Sequence, residues 1–369
     1  MKAQVFMADY RASSRSRNGL AKIAALLEKA GLRSAIKPGD LTAIKIHFGE
    51  LGNEAYINPV LARAVSGAAR AAGAKPFFSD TNTLYSGSRA NAVEHLETAA
   101  AHGYVESVCG APVLIADGLR GSDWGEVEVG LPRLKAVKIA RAFLDADSML
   151  VLSHVKGHEM AGFGGALKNL AMGCAPPVGK REQHAVKFFV KAAKCVGCGR
   201  CVEVCPQGAA AMGREGKASI DQAKCIGCGE CSMHCRIRAI GLDWETEILP
   251  FSERMAEYAY GAVKGKAGRV IYLNFVKDVV PDCDCAPWSD APVVADQGIL
   301  ASADPVALDQ AAYDLVKAAP VAPGSELEGR AGPGDDKFAL LHPETRPLAQ
   351  LEHGERIGLG SRDYELVRI

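Results

Sequence analysis

Eight of the chain's twelve cysteines fall between positions 195 and 235, as two copies of one pattern. The first copy is Cys195-Val-Gly-Cys198-Gly-Arg-Cys201-Val-Glu-Val-Cys205-Pro206. The second, thirty residues later, is Cys225-Ile-Gly-Cys228-Gly-Glu-Cys231-Ser-Met-His-Cys235. In a tight Gly-containing loop, three thiolates at this spacing reach three corners of one iron–sulfur cube, while the fourth, at a helix start, reaches the other cube. The spacing therefore predicts two 4Fe-4S clusters, one held by Cys195, Cys198, Cys201 and Cys235, the other by Cys225, Cys228, Cys231 and Cys205. A pair of zinc sites is the alternative, but zinc gives no reason for a further cysteine two residues on in both copies. Such local clustering also argues against a disulfide framework.

The 369 residues allow two to three domains, or one large α/β body with an insertion. A content of 48% hydrophobic and 23% charged residues is that of a chain with a packed core. Lys plus Arg equals Asp plus Glu at 43 each, so no global field steers the chain toward nucleic acid or anionic lipid. The N-terminus lacks the plan of a signal peptide, and no stretch is long and apolar enough for a membrane helix, so a cytoplasmic location is expected.

Apolar strands alternate with amphipathic helices on both sides of the cysteine block. Strands are predicted over 3–8, 41–47, 76–79, 113–116, 149–153 and 269–275, and helices over 20–30, 59–72 and 90–102. Asp304-Pro305 opens a helix toward 318, with Asp as cap and Pro at the first helical position. Residues 320–335 read as a surface loop, and a last helix covers 347–356. The expected fold is α/β: a doubly wound, mostly parallel sheet body (1–187 and 246–369), interrupted by a small α+β two-cluster insert (188–245). The insert carries eight Lys or Arg against six Asp or Glu, so it lacks a freely diffusing carrier's acidic surface and reads as a docked module.

In open α/β sheets the ligand crevice lies beyond the carboxyl ends of the strands, and the polar residues gather there. Strand 41–47 runs into Phe48-Gly49-Glu50, strand 76–79 into Asp80-Thr81-Asn82, and strand 149–153 into His154-Val-Lys156-Gly-His158-Glu159. Hence His154, His158 and Glu159 are candidate proton-transfer groups, against the plainer reading of structural histidines. The run Gly162-Phe-Gly164-Gly165-Ala-Leu-Lys168-Asn169 reads as a glycine turn feeding a helix, whose free amides, with Lys156 and Lys168, are candidates to hold a small anionic substrate. Close packing on the sheet is the competing reading. Cys283 and Cys285, between Pro281 and Pro287, can bend toward one soft metal, with Cys174 as a third ligand and a histidine as a fourth. A disulfide or inert thiols are the alternatives. Cys109 reads as core packing.

The cysteine block resembles the two-cluster bacterial ferredoxins over about sixty residues, with Arg236 where that family often has Pro. The whole chain carries Ser153-His154-Val-Lys156-Gly157-His158-Glu159, the Gly162–Asn169 run, Cys283-Asp-Cys285 and Ala303-Asp304-Pro305-Val306-Ala307. With the insert, these resemble the ferredoxin-containing branch of the family named domain of unknown function 362. That resemblance implies a cytoplasmic iron–sulfur protein of α/β fold, and a distant association with the lactate racemase type of fold. Neither a flavin nor a nicotinamide fingerprint is visible. Three functions follow as expectations. The first is an oxidoreductase in which two clusters relay electrons to a substrate or third metal at the strand ends. The second is a non-catalytic electron-transfer module docking a low-potential donor or acceptor protein. The third is a racemase-like ligand-binding body stiffened by its clusters.

Overall fold

The computed structural model describes residues 2–85, 87–184, 187–225, 230–242 and 244–369. Its centre is an eight-stranded sheet in the order Tyr364–Arg368, Ala3–Ala8, Gly298–Ser302, Val270–Val276, Ser148–His154, Leu41–Lys45, Lys75–Asp80, Val113–Ile115. Gly298–Ser302 runs antiparallel to both its neighbours, and every other pairing is parallel. The doubly wound, mostly parallel body expected from the sequence is the fold observed.

Burial on both faces explains why the central strands are almost wholly apolar. Alternate side chains enter opposite cores. Ala43, Met149, Val151, Val270 and Tyr272 belong to one cluster, while Ile44, Leu150, Leu152, Ile271 and Leu273 belong to the other. Helix Pro305–Ala318 begins as expected, with the Asp304 carboxylate accepting from Val306 N at 2.9 Å and Ala307 N at 3.0 Å.

Several elements escaped the sequence reading, among them two strands of the central sheet, Gly298–Ser302 and Tyr364–Arg368. Helix Trp244–Val263 runs through Pro250, a residue that argues against a helix interior, and it crosses the expected boundary at 245. Trp124–Glu128 and Ala136–Ala140 form a separate antiparallel hairpin. Lys156–His158 and Gly162–Gly164, expected as loop and turn, pair as a short antiparallel ribbon.

The cysteine block folds as an internal repeat that crosses over itself. Phe188–Val190, before the first copy, pairs with Ile240–Leu242, after the second, while Ala210–Met212 pairs with Ala218–Ile220 between the copies. Short helices Arg200–Glu203 and Glu230–Met233 occupy equivalent places.

The sheet has its switch point between Leu41–Lys45 and Ser148–His154. From the first strand the chain winds toward Lys75–Asp80, and from the second toward Val270–Val276. At such a point the neighbouring crossovers leave in opposite directions and open a crevice at the carboxyl ends.

Candidate functional site

A cavity of about 1090 Å³ occupies that crevice. It is lined by His47, Asp80, His158, Lys168, Cys283 and Cys285 from the body and by Arg200, Glu203, Glu230 and His234 from the cysteine block. The body and the block therefore share one chamber.

On the body side the geometry centres on the loop after Val270–Val276. Asp284 is fully buried, with His154 Nδ1 at 2.7 Å from Oδ1 and Lys156 Nζ at 3.0 Å from Oδ2. Burial works against its charge, but His154 and Lys156 outweigh it and hold the carboxyl far below the ordinary aspartate range. The other His154 nitrogen faces the carbonyls of Lys277 and Asp278 at 2.8 and 3.0 Å. Both residues thus clamp the loop instead of presenting free groups to a ligand. Ala286 N closes a turn on Cys283 O at 2.9 Å, so the two cysteines are not the extended pair that would point apart.

Lys168 Nζ donates to Cys283 Sγ at 3.2 Å. The Cys285 thiol, then Lys168 and Lys156, hold Cys283 well below an ordinary thiol against the opposing effect of burial, while Cys285, as donor to Cys283, is pushed up. Burial opposes the Lys168 charge, but Cys283, Cys285 and Glu159 raise its pKa above the usual lysine value. Burial first, then Cys283, pushes Glu159 up to about 7. The ligating atoms of His158, Cys283 and Cys285 lie within 4.8 Å of one another, a group of the kind that holds a metal ion. Beside it, the cysteine repeats suggest a metal cofactor.

Cys174 does not join that group. It is buried in the main core, and burial pushes its thiol up to about 12, so its surroundings do not favour a ligating thiolate. The anion site expected at the glycine turn is also filled from within: Asp309 accepts from Ala166 N at 2.7 Å and Leu167 N at 2.9 Å. A Cβ on Gly165 would come within 2.3 Å of that carboxylate, which is why glycine stands there.

A second polar cluster at the cavity joins the strand-end residues Glu50, Asp80 and Thr81 to Lys45, Arg89 and Lys180, which the sequence reading did not single out. Asp80 meets Lys45 at 3.0 Å and Arg89 at 3.7 Å, and Arg89 also holds Glu50 at 2.9 Å. Burial raises the Asp80 pKa, but Lys45, His47, His95 and Arg89 more than offset it and hold it well below the carboxylate range. Lys180 donates to Thr81 Oγ1 at 2.5 Å and to the carbonyls of Asn82 and Ala175, both at 2.7 Å, and burial lowers its pKa to about 8. A lysine inside an apolar strand was the available signal for Lys45. Arg89, in an aperiodic loop, offered none.

In the cysteine block, one small cavity is lined by Cys195, Cys198, Cys201 and Cys235, and a second by Cys205, Cys225 and Cys231. Cys228 lies outside the described residues. No disulfide involves Cys195, Cys198, Cys201, Cys205, Cys225 or Cys235. Backbone N–H groups point at the sulfurs in matching places: Ala209 N reaches Cys205 Sγ and Ala239 N reaches Cys235 Sγ, each at 3.2 Å. No described helix is long and apolar enough to cross a membrane.

A mostly parallel α/β body whose strand-end chamber faces a cysteine repeat is the class of protein this architecture defines. The chain belongs to the family described as a domain of unknown function (DUF362), which matches residues 42–314. No curated protein matches it. Among solved structures, the lactate racemase apoprotein from Thermoanaerobacterium thermosaccharolyticum is similar at 14% identity and a TM-score of 0.36, covering 75% of this chain and 52% of that one. A structural-genomics protein from Thermotoga maritima is similar at 11% identity and a TM-score of 0.39, covering 78% of this chain and 57% of that one. The chain thus spans little more than half the length of either.

Proposed function

We propose that this chain is an iron–sulfur redox protein in which the cysteine repeats hold two 4Fe-4S clusters that serve a substrate bound in the shared chamber. The observation that carries the reading is the lining of the two small cavities: each combines cysteines of one copy with the last cysteine of the other. Apart from Cys228, these are the crossed ligand sets that the spacing predicts. The donor chemistry fits the group as well. Cys195, Cys205 and Cys235 accept backbone N–H groups at sulfur, an arrangement that tunes the potential of a bound cluster. When bound, the clusters supply transfer of single electrons.

The chain's own residues supply the rest. Cys198 is exposed and Val196 is 68% exposed, which offers a surface beside the first ligand set to a low-potential donor or acceptor protein. Glu230 lines both the second small cavity and the large chamber, so that ligand set adjoins the substrate space. Within the chamber, Glu159 and Lys180 are lining groups able to take or give a proton near neutral pH. A chamber built into the body supports an oxidoreductase over a carrier module.

Anaerobic purification with iron, sulfide and zinc quantification, followed by electron paramagnetic resonance of the reduced protein, tests the proposal. About eight irons and a reversible reduction are expected. Colourless material carrying only zinc overturns it.

A further inference from the structure

We propose that Cys283 and Cys285 form a thiol–disulfide couple that exchanges with a low-molecular-weight disulfide in the large chamber. The two sulfurs and the groups that position them belong to the body, so the inference stands whether or not the cysteine repeats hold clusters.

The loop is built to present two sulfurs together. The turn closed by Ala286 N on Cys283 O places Cys283 and Cys285 on one side, with ligating atoms within 4.8 Å, and both line the chamber. Asp284, between them, is anchored by His154 and Lys156, and its carbonyl accepts from Glu50 N at 2.9 Å. His342 Nε2 holds Pro281 O at 2.8 Å. Lys168 places an ammonium 3.2 Å from the Cys283 sulfur, the counter-charge that a nucleophilic thiolate requires.

His158 separates this reading from a metal site. Its Nδ1 accepts from Met160 N at 3.1 Å and Ala161 N at 3.0 Å, so in the neutral ring the remaining proton sits on Nε2. A metal-ligating imidazole instead donates its far N–H to an acceptor and turns a lone pair to the ion. Ligation through Nε2 would force a proton onto Nδ1 against two backbone donors. His158 Nε2, 3.6 Å from Glu159 Oε1, is therefore suited to act as a donor and not as a metal ligand.

The exchange balances within the chamber. The Cys283 thiolate attacks one sulfur of the bound disulfide, that S–S bond breaks, and the first substrate half leaves as thiolate. The Cys285 thiol then attacks the Cys283 sulfur of the mixed disulfide, the second half leaves, and the proton lost by Cys285 ends on it through the chamber's solvent. Two protein sulfurs are oxidised to one disulfide, and the substrate disulfide is reduced by two electrons to one thiol and one thiolate.

The test incubates the full-length, anaerobically purified protein with hydroxyethyl disulfide, alkylates remaining thiols and analyses residues 278–317 by mass spectrometry. That tryptic peptide contains Cys283 and Cys285 and no other cysteine. The wild type is expected to yield the internal Cys283–Cys285 disulfide without a retained adduct. Cys285→Ser should trap the mercaptoethanol adduct on Cys283, and Cys283→Ser should trap none. Lys168→Gln should slow adduct formation at neutral pH by roughly tenfold, because the thiolate loses its counter-charge. Three outcomes overturn the proposal: no internal disulfide in the wild type, adduct formation at Cys285 in Cys283→Ser at the wild-type rate, or a stoichiometric metal held by these cysteines and lost in Cys283→Ser. Iron content measured on the same variants keeps this result separate from the fate of the cysteine repeats.

Discussion

The Lys45 ammonium nitrogen lies 3.0 Å from Asp80 Oδ1, with both side chains buried on neighbouring parallel strands. Lys45 also donates to Asn169 Oδ1 at 2.6 Å, which ties the second strand to the helix after the glycine turn. Removing Lys45 leaves the buried Asp80 with Arg89, at 3.7 Å, as a more distant counter-charge, at a cost of up to about 3–5 kcal/mol. Lys45→Met should therefore lower the urea-unfolding free energy by about that amount. A loss below about 1 kcal/mol would show that the pair is not a structural keystone of the switch point.

The crossed cysteine sets predict which variants share a phenotype. Cys235→Ser should behave as Cys198→Ser does, and Cys205→Ser as Cys225→Ser does, although each matched pair spans both copies of the repeat. Iron should fall from about eight to about four per chain in every case. Electron paramagnetic resonance should sort the four variants into those two classes. If Cys235→Ser instead matches Cys225→Ser, each copy binds its own cluster and the assignment is wrong.

Much of this was legible in the sequence because it depends on local chemistry. The cysteine spacing stands in a single segment, Asp304-Pro305 announces its helix, and the central strands are apolar because both faces are covered. What escaped depends on distant partners. Asp309 fills the amides after Gly165 from a helix more than a hundred residues away, so a turn that reads as an anion site is already satisfied. His158, not Cys174, reaches Cys283 and Cys285, because the short ribbon folds it under the loop, a pairing that two three-residue strands scarcely signal. Pro250 hid a helix that tertiary packing sustains: Phe251, Met255, Tyr258 and Ala259 on it are fully buried.

Lys180 gives the fold a pH signature. Its folded pKa of about 8 lies below the ordinary lysine value of 10.5, so between these values the unfolded chain binds more protons and stability rises with pH. Below about pH 8 the cost of burying the ammonium is present in full. From pH 7 to pH 9 this one group should add about 1 kcal/mol to the unfolding free energy. Other groups titrate in the same range, so the measurement is the difference between wild type and Lys180→Met. A difference that stays constant from pH 7 to pH 9 would mean that Lys180 keeps an ordinary pKa in the fold.

Gly157 sets how closely the cysteine loop approaches the ribbon. Its N–H donates to Val280 O at 2.9 Å, and a Cβ there would stand 2.0 Å from the Pro281 carbonyl oxygen. Backbone cannot yield as a side-chain tip does. Gly157→Ala should therefore push the loop away, cost about 1–3 kcal/mol and abolish the paired behaviour of Cys283 and Cys285 toward alkylation. Gly164 on the facing strand is the control, because a Cβ there meets first the flexible Lys168 side chain, at 3.1 Å. Gly164→Ala should cost less and leave the two thiols paired. Equal losses for both variants in denaturant titration would show that the close approach of the loop does not depend on a glycine at 157.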